Sequence, residues 1–231
     1  LQKTACSDYD SSGHYMIRYQ LYHANYTKNG PEIDPFPDSQ ENVFVGNVEK
    51  FSDDSFVMAL EFQVSKVASV MLFNSDGTKV STSSINSVSG YLPYASYVKV
   101  ASDDTFVHVY TVNARVASNS NTDIYFTRYN KDGTKIGSEV GPVNTRTSSS
   151  QHVTGPNRLN FFSDNSFIIN WYDQGDNYCN YYQLYNADGT KNGNNVKNIC
   201  DSDVFTIVFP DDTYGFIWHE NRHANDALDS E

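Results

Sequence analysis

The chain has 231 residues, a net charge of −12 and an isoelectric point near 4.7. Its 16 Lys and Arg are scattered, so no basic patch is available for a nucleic-acid duplex or an anionic membrane. No apolar run approaches the ~18 residues of a membrane helix, and 17 Tyr with 14 Phe favour strands.

Ser7 opens SDYDSSG. Asp8, Asp10 and Ser12 offer oxygens at alternate positions, like the first half of a calcium loop. Arg18 and Tyr19 stand where the bidentate acid belongs, so a solvated acidic loop is the plainer expectation. From Gly13 to about Asp34 two strands are predicted around YHANYTK, which begins at Tyr22. Phe51 opens FSDDSFVMAL, a turn followed by an alternating strand, and Phe73 opens a second hairpin, FNSDGTK. Tyr91 opens YLPYASY, whose proline and spacing predict a loop between units. The two hairpin motifs recur as ASDDTFVHVY from Ala101 with YNKDGTK from Tyr129. They recur again as FSDNSFIINW from Phe162 with YNADGTK from Tyr185. FPDDTYGFIW from Phe209 closes the series.

A period of roughly fifty residues marks a repeat architecture. In one motif Asp-Gly supplies the positive φ of a tight hairpin turn. In the other, Asp-Asp or Asp-Asn turns the chain with side-chain bonds to its own backbone. Each period holds about four antiparallel strands, and helical periodicity is nearly absent. The expectation is one all-β domain over 1–231, a four-bladed β-propeller. Its units are 41–90, 91–150, 151–203, and a last blade sewn from 1–40 and 204–231. Such a ring has no exposed edges. The alternative is an open array of β-repeats whose half-units pair with neighbouring copies, giving a homo-polymer.

The strings YNKDGTKIGSEVGPVNT from Tyr129 and SDNSFIINW from Ser163 carry a resemblance. They resemble a tandem β-repeat of very large surface and secreted proteins of bacteria and protists. The resemblance runs from about Tyr19 to Trp218. It implies an extracellular repeat, often in adhesion or matrix roles, with no catalytic residues. The chain departs from it at Asn25-Tyr26-Thr27 and in the Ser/Thr-rich stretch Ser81 to Ser89.

Asn25-Tyr26-Thr27 is the sole N-x-S/T glycosylation acceptor in the chain, at a tip where the other repeats read Asp-Gly-Thr. Of three cysteines, Cys179 and Cys200 flank the Asp188-Gly189 hairpin and would meet across two strands if a bulge corrects the register. Cys6–Cys200 competes, and three buried thiols are the plainest alternative. HENRH, from His219 to His223, matches the H-E-x-x-H zinc pattern, and Asp229 sits where a third ligand could stand. That chemistry needs a helix, whereas the repeat puts a strand end at Trp218. Tyr91, Tyr94 and Tyr97 could stack on sugar faces, although core packing accounts for most tyrosines here. Carboxylates are plentiful, so a glycosidase pair stays open from sequence.

The functional expectation is a non-enzymatic, secreted or cell-surface adhesion or structural module, a subunit of a fibre or matrix. Its partner would be itself or extracellular glycans, and no cofactor is expected beyond calcium at Asp8, Asp10 and Ser12. A lectin-like propeller is the second reading, and a hydrolase the third.

Overall fold

The computed structural model describes residues 15, 17–36, 42–65, 67–86, 93–113, 121–147, 149–153, 158–200 and 204–218. Among them every sheet is antiparallel and no α-helix occurs. Strands β1 (Tyr19–Tyr22) and β2 (Lys28–Ile33) form a two-stranded sheet. The first meander is β3 (Val43–Lys50), β4 (Phe56–Phe62), β5 (Val67–Phe73) and β6 (Lys79–Asn86). The second is β7 (Pro93–Val100), β8 (Phe106–Asn113), β9 (Thr122–Tyr129) and β10 (Lys135–Val140). In the third, β11 (Gln151–His152) and β12 (Leu159–Phe161) both pair with β13 (Phe167–Asp173). Strands β14 (Cys179–Tyr185) and β15 (Lys191–Lys197) follow. The last sheet is β16 (Val204–Val208) with β17 (Tyr214–Trp218). Among the described residues β1 pairs only with β2, and β17 only with β16.

The two expected kinds of hairpin turn are one kind. Phe51 N–H donates to Ser55 O (2.8 Å) and Asp54 N–H to Phe51 O (3.2 Å). The same pair of bonds closes the loops that start at His23, Asn74, Ala101, Asn130, Phe162, Asn186 and Phe209. A three-residue loop of this type needs its last residue in the left-handed region. Gly77, Gly133 and Gly189 fill that place in three hairpins, and Asp54, Asp104, Asn165 and Asp212 fill it in four more. Short polar side chains tolerate this region best after glycine. The residue before it braces the loop. Asp76 Oδ1 accepts from the Thr78 N–H (2.8 Å) and hydroxyl (2.7 Å), and Asp53 does the same for Ser55.

Sheets stack face to face. One face of the first meander, with Phe56, Met58, Leu60, Met71 and Phe73, packs on Leu21 and Tyr19 of the first two-stranded sheet. Its other face, with Val57, Ala59, Val70 and Leu72, packs on Val98, Phe106 and Tyr129 of the second meander. Val107, Val109, Ile124 and Phe126 then meet Phe167, Ile169, Trp171 and Tyr185 of the third. Central strands covered on both faces read as unbroken apolar runs, as in Phe56–Leu60. Each large side chain buried this way contributes roughly 1.5–3 kcal/mol. Where β3 crosses β7 the first two meanders touch backbone to backbone: a Cβ added to Gly46 would lie 1.5 Å from the Ser96 carbonyl oxygen. Tyr182 of the third meander packs on Tyr214 and Phe216 of the last hairpin, at 6.0 and 5.1 Å between ring centroids.

Candidate functional site

The acidic turns of β3–β4, β7–β8, β12–β13 and β16–β17 (the inner hairpins; β1–β2, β5–β6, β9–β10 and β14–β15 are the outer ones) lie side by side, and a bond passes from each to the next. Ser52 donates to Asp104 through its N–H (2.8 Å) and its hydroxyl (2.5 Å). Ser102 donates to Asn165 Oδ1 through the same two groups, at 3.3 and 2.8 Å. Ser163 does so to Asp212, with the N–H at 2.7 Å and a shorter hydroxyl bond. The acceptor is always the left-handed residue of the next turn. Asp104, Asn165 and Asp212 serve as acceptors in this way, whereas the matching place in the second hairpin of each meander is Gly77, Gly133 or Gly189. In the last hairpin the donor position is Pro210, which has neither an N–H nor a hydroxyl. Asp54, the first acceptor of the series, is held by Lys50 within its own hairpin (2.5 Å).

Lys131, on the outer hairpin of the second meander, bonds Asp53 (2.8 Å) and Asp104 (2.9 Å) and lies over the Phe51 ring. Its ammonium, with Ser55, holds the Asp53 carboxyl well below the usual range. Asp104 is lowered by Ser52 first and Lys131 second, and Lys131 itself is raised by both carboxylates. The acidic pairs are turn chemistry, as their spacing implies, but Asp104 and Asp212 also tie their units to the preceding ones. The signal for that was a serine recurring at the second position of the first three motifs, Ser52, Ser102 and Ser163.

Cys179 and Cys200 are joined in a disulfide, with their Cα atoms 3.7 Å apart. Starting from Leu184 opposite Asn192, regular pairing would put Tyr181 opposite Asn195. A bulge puts it opposite Lys197 instead. The Asn180 N–H, in β14, then donates to the carbonyl of Ile199 beyond the end of β15, which brings the two sulfurs together.

At the tip of β1–β2, Asn25 Oδ1 accepts from the Thr27 N–H (3.1 Å) and hydroxyl (2.6 Å). Tyr26 takes the left-handed place at φ 67° and is 86% exposed. The expected loop at YLPYASY is a strand from Pro93 onward. Pro93 is tolerated because it opens the edge strand β7, where a bulge follows it. Tyr94 lies in that strand, and Tyr97 is half-buried and packs against the core between the second and third meanders. Tyr91, Cys6, the Asp8-Asp10-Ser12 loop and the HENRH residues His219 to His223, with Asp229, lie outside the described residues. Strand β17 runs to Trp218, directly ahead of that motif. Among the described residues no group of three or more His, Cys, Asp or Glu could hold a metal.

Ser96 Oγ lies 2.7 Å from His108 Nε2, a contact found in nucleophilic sites. Both side chains are fully buried between the first two meanders, and burial pushes the imidazole down to about 3. The pair is a neutral internal hydrogen bond between two side chains with no solvent exposure. Glu61 lies nearby on β4. Burial raises its carboxyl to about 7, against a smaller opposing effect of the Ser96 N–H.

The remaining exposed feature is apolar. Phe51 packs on Phe106 of the next unit (5.8 Å), and Phe162 on Tyr214 (5.8 Å). Phe209 holds the equivalent place in the last hairpin and is 45% exposed. On the same face Phe205 is 41% exposed, Ile207 37% and Ile217 57%. Gly215 sits between Ile207 and Phe209 and leaves the face flat. Every earlier unit covers this face with its successor. Compared with known proteins, the chain matches no family model and no curated protein.

Proposed function

We propose that the chain is a non-enzymatic extracellular module of adhesive or structural type, a propeller-like array that joins a second copy of itself through its last hairpin. The observation that carries this is the bare face of Phe205, Ile207, Phe209 and Ile217. It holds the place of the face by which each internal unit packs on the next, but Ile217 stands where the first meander has Ala59, and Ile207 and Phe205 stand where it has the polar Glu49 and Asn47. Exposed apolar patches of this kind mark interaction sites. The sheets β1–β2 and β16–β17 have two strands each, where the first two meanders have four. Exchange of these halves between copies completes a four-stranded blade and builds a chain of modules. The disulfide and the resemblance to tandem surface repeats support the extracellular assignment.

Sedimentation of the native, unreduced protein over a range of concentrations tests the proposal. The expected result is assembly that grows with concentration and is weakened at least tenfold by Phe209→Ser with Ile217→Thr. A single species near 26.0 kDa at every concentration, indifferent to those changes, overturns it. Hydrogen exchange that protects the outer edges of β1 and β17 in such a monomer would identify a ring closed within one molecule. Binding to a glycan array by the same monomer would move the reading to a lectin.

A further inference from the structure

The four outer hairpins share one frame, and one of them departs from it. In three, an aspartate accepts from the threonine two residues on, and a glycine takes the left-handed place between them: Asp76-Gly77-Thr78, Asp132-Gly133-Thr134 and Asp188-Gly189-Thr190. In the first hairpin Asn25 and Thr27 keep the frame, with the Thr27 N–H and hydroxyl both on Asn25 Oδ1. Both departures run against backbone preference or give nothing back in packing. Tyr26 in the left-handed region costs about 1 kcal/mol relative to glycine, and it is 86% exposed. Asn for Asp gives up a charge that the frame's donors favour in the other turns, where they lower Asp76, Asp132 and Asp188.

What the change creates is an amide nitrogen. With Oδ1 occupied, Asn25 Nδ2 makes no hydrogen bond among the described residues and sits at an exposed tip. Thr27 completes the acceptor pattern. We propose that Asn25 is the attachment site of an N-linked glycan. This rests on the extracellular reading above. In the transfer, Asn25 Nδ2 forms a bond to the anomeric carbon of a lipid-linked oligosaccharyl diphosphate. The bond from that carbon to the diphosphate oxygen breaks, the lipid diphosphate leaves with the electron pair, and the amide proton passes to a base on the transferase. A tip beyond the last pair of the β1–β2 ladder carries a bulky group without disturbing the face packed on the first meander.

The test is expression of the full chain behind a secretory leader in animal cells. The secreted protein is weighed before and after an amidase that removes N-glycans and leaves aspartate. The expected result is one glycan, its removal converting Asn25 to Asp, absent from Asn25→Gln and retained in Thr27→Ser and Tyr26→Gly. D188N installs the same acceptor pattern in the matching hairpin of the third meander, as an internal standard. An unmodified Asn25 in secreted, disulfide-bonded protein overturns the proposal, whether or not the D188N chain is modified. A secreted chain in which Cys179 and Cys200 stay reduced would bring down the extracellular reading instead.

Discussion

Ser52 holds Asp104 with two hydrogen bonds, from its N–H at 2.8 Å and its hydroxyl at 2.5 Å, across 52 residues of sequence. The contact ties the inner turn of one meander to the inner turn of the next, and Ser102–Asn165 and Ser163–Asp212 repeat it. Asp104→Gly keeps the left-handed turn and removes the acceptor. It is expected to cost about 1–2 kcal/mol, with Ser52→Ala adding little on top of it. A double-mutant cycle by urea unfolding checks this. Additive losses would mean the bond stabilises nothing.

Glu61 gives stability a pH dependence opposite to that of most carboxylates. Burial raises its folded value to about 7 from an ordinary 4.5. The native state therefore favours the protonated form, and its stability falls as pH rises from about 4.5 through 7. Glu61→Gln is expected to stabilise by about 1–2 kcal/mol at pH 8 and to change little at pH 4. His108 acts at the other end. Held neutral down to about 3 against an ordinary 6.5, it withdraws stability as pH falls through that window. Thermal unfolding of both chains from pH 4 to 8 resolves the two.

Tyr26→Gly is expected to raise stability by about 0.5–1 kcal/mol, because it relieves a left-handed tyrosine that packs on nothing. Gly77→Ala at the matching place has the opposite sign. It keeps the positive φ, and its Cβ would come within 2.7 Å of Ile33 Cδ1. A loss of about 1–2 kcal/mol is expected from urea titration of the second variant.

The Cys179–Cys200 bond closes a loop with a sequence separation of 21. Replacing both cysteines with serine is expected to cost about 3 kcal/mol, mostly by freeing the unfolded chain. Reductant should lower the melting temperature of the parent chain and leave the double variant unmoved.

The hairpins were legible because their turn chemistry is local: Asp-Gly-Thr and Ser-Asp-Asp each state their own loop. The Cys179–Cys200 pairing followed from the symmetry of one hairpin, with a bulge needed to correct it. The Ser-to-Asp bonds were not legible as bonds. Donor and acceptor are some fifty residues apart, and only face-to-face stacking of the meanders brings them together. The Tyr91–Tyr97 stretch misled because a proline was taken as a loop signal, whereas an edge strand needs no N–H at its first residue. The bare face of the last hairpin was hidden for a different reason. Phe205, Ile207 and Ile217 look like core in sequence, and only the place of their unit at the end of the stack exposes them.

Pro210 sets a rule for how this chain can be lengthened. Each of the other units brings a serine for its successor and an acid or amide for its predecessor. A duplicated internal unit can therefore be inserted and the line of bonds stays whole. A duplicated last unit is different: it accepts from what precedes it and hands nothing on. The grammar is that of a sentence with its full stop built into one word. Gene duplication can extend it from within, but copying its end starts a new, separately bonded array.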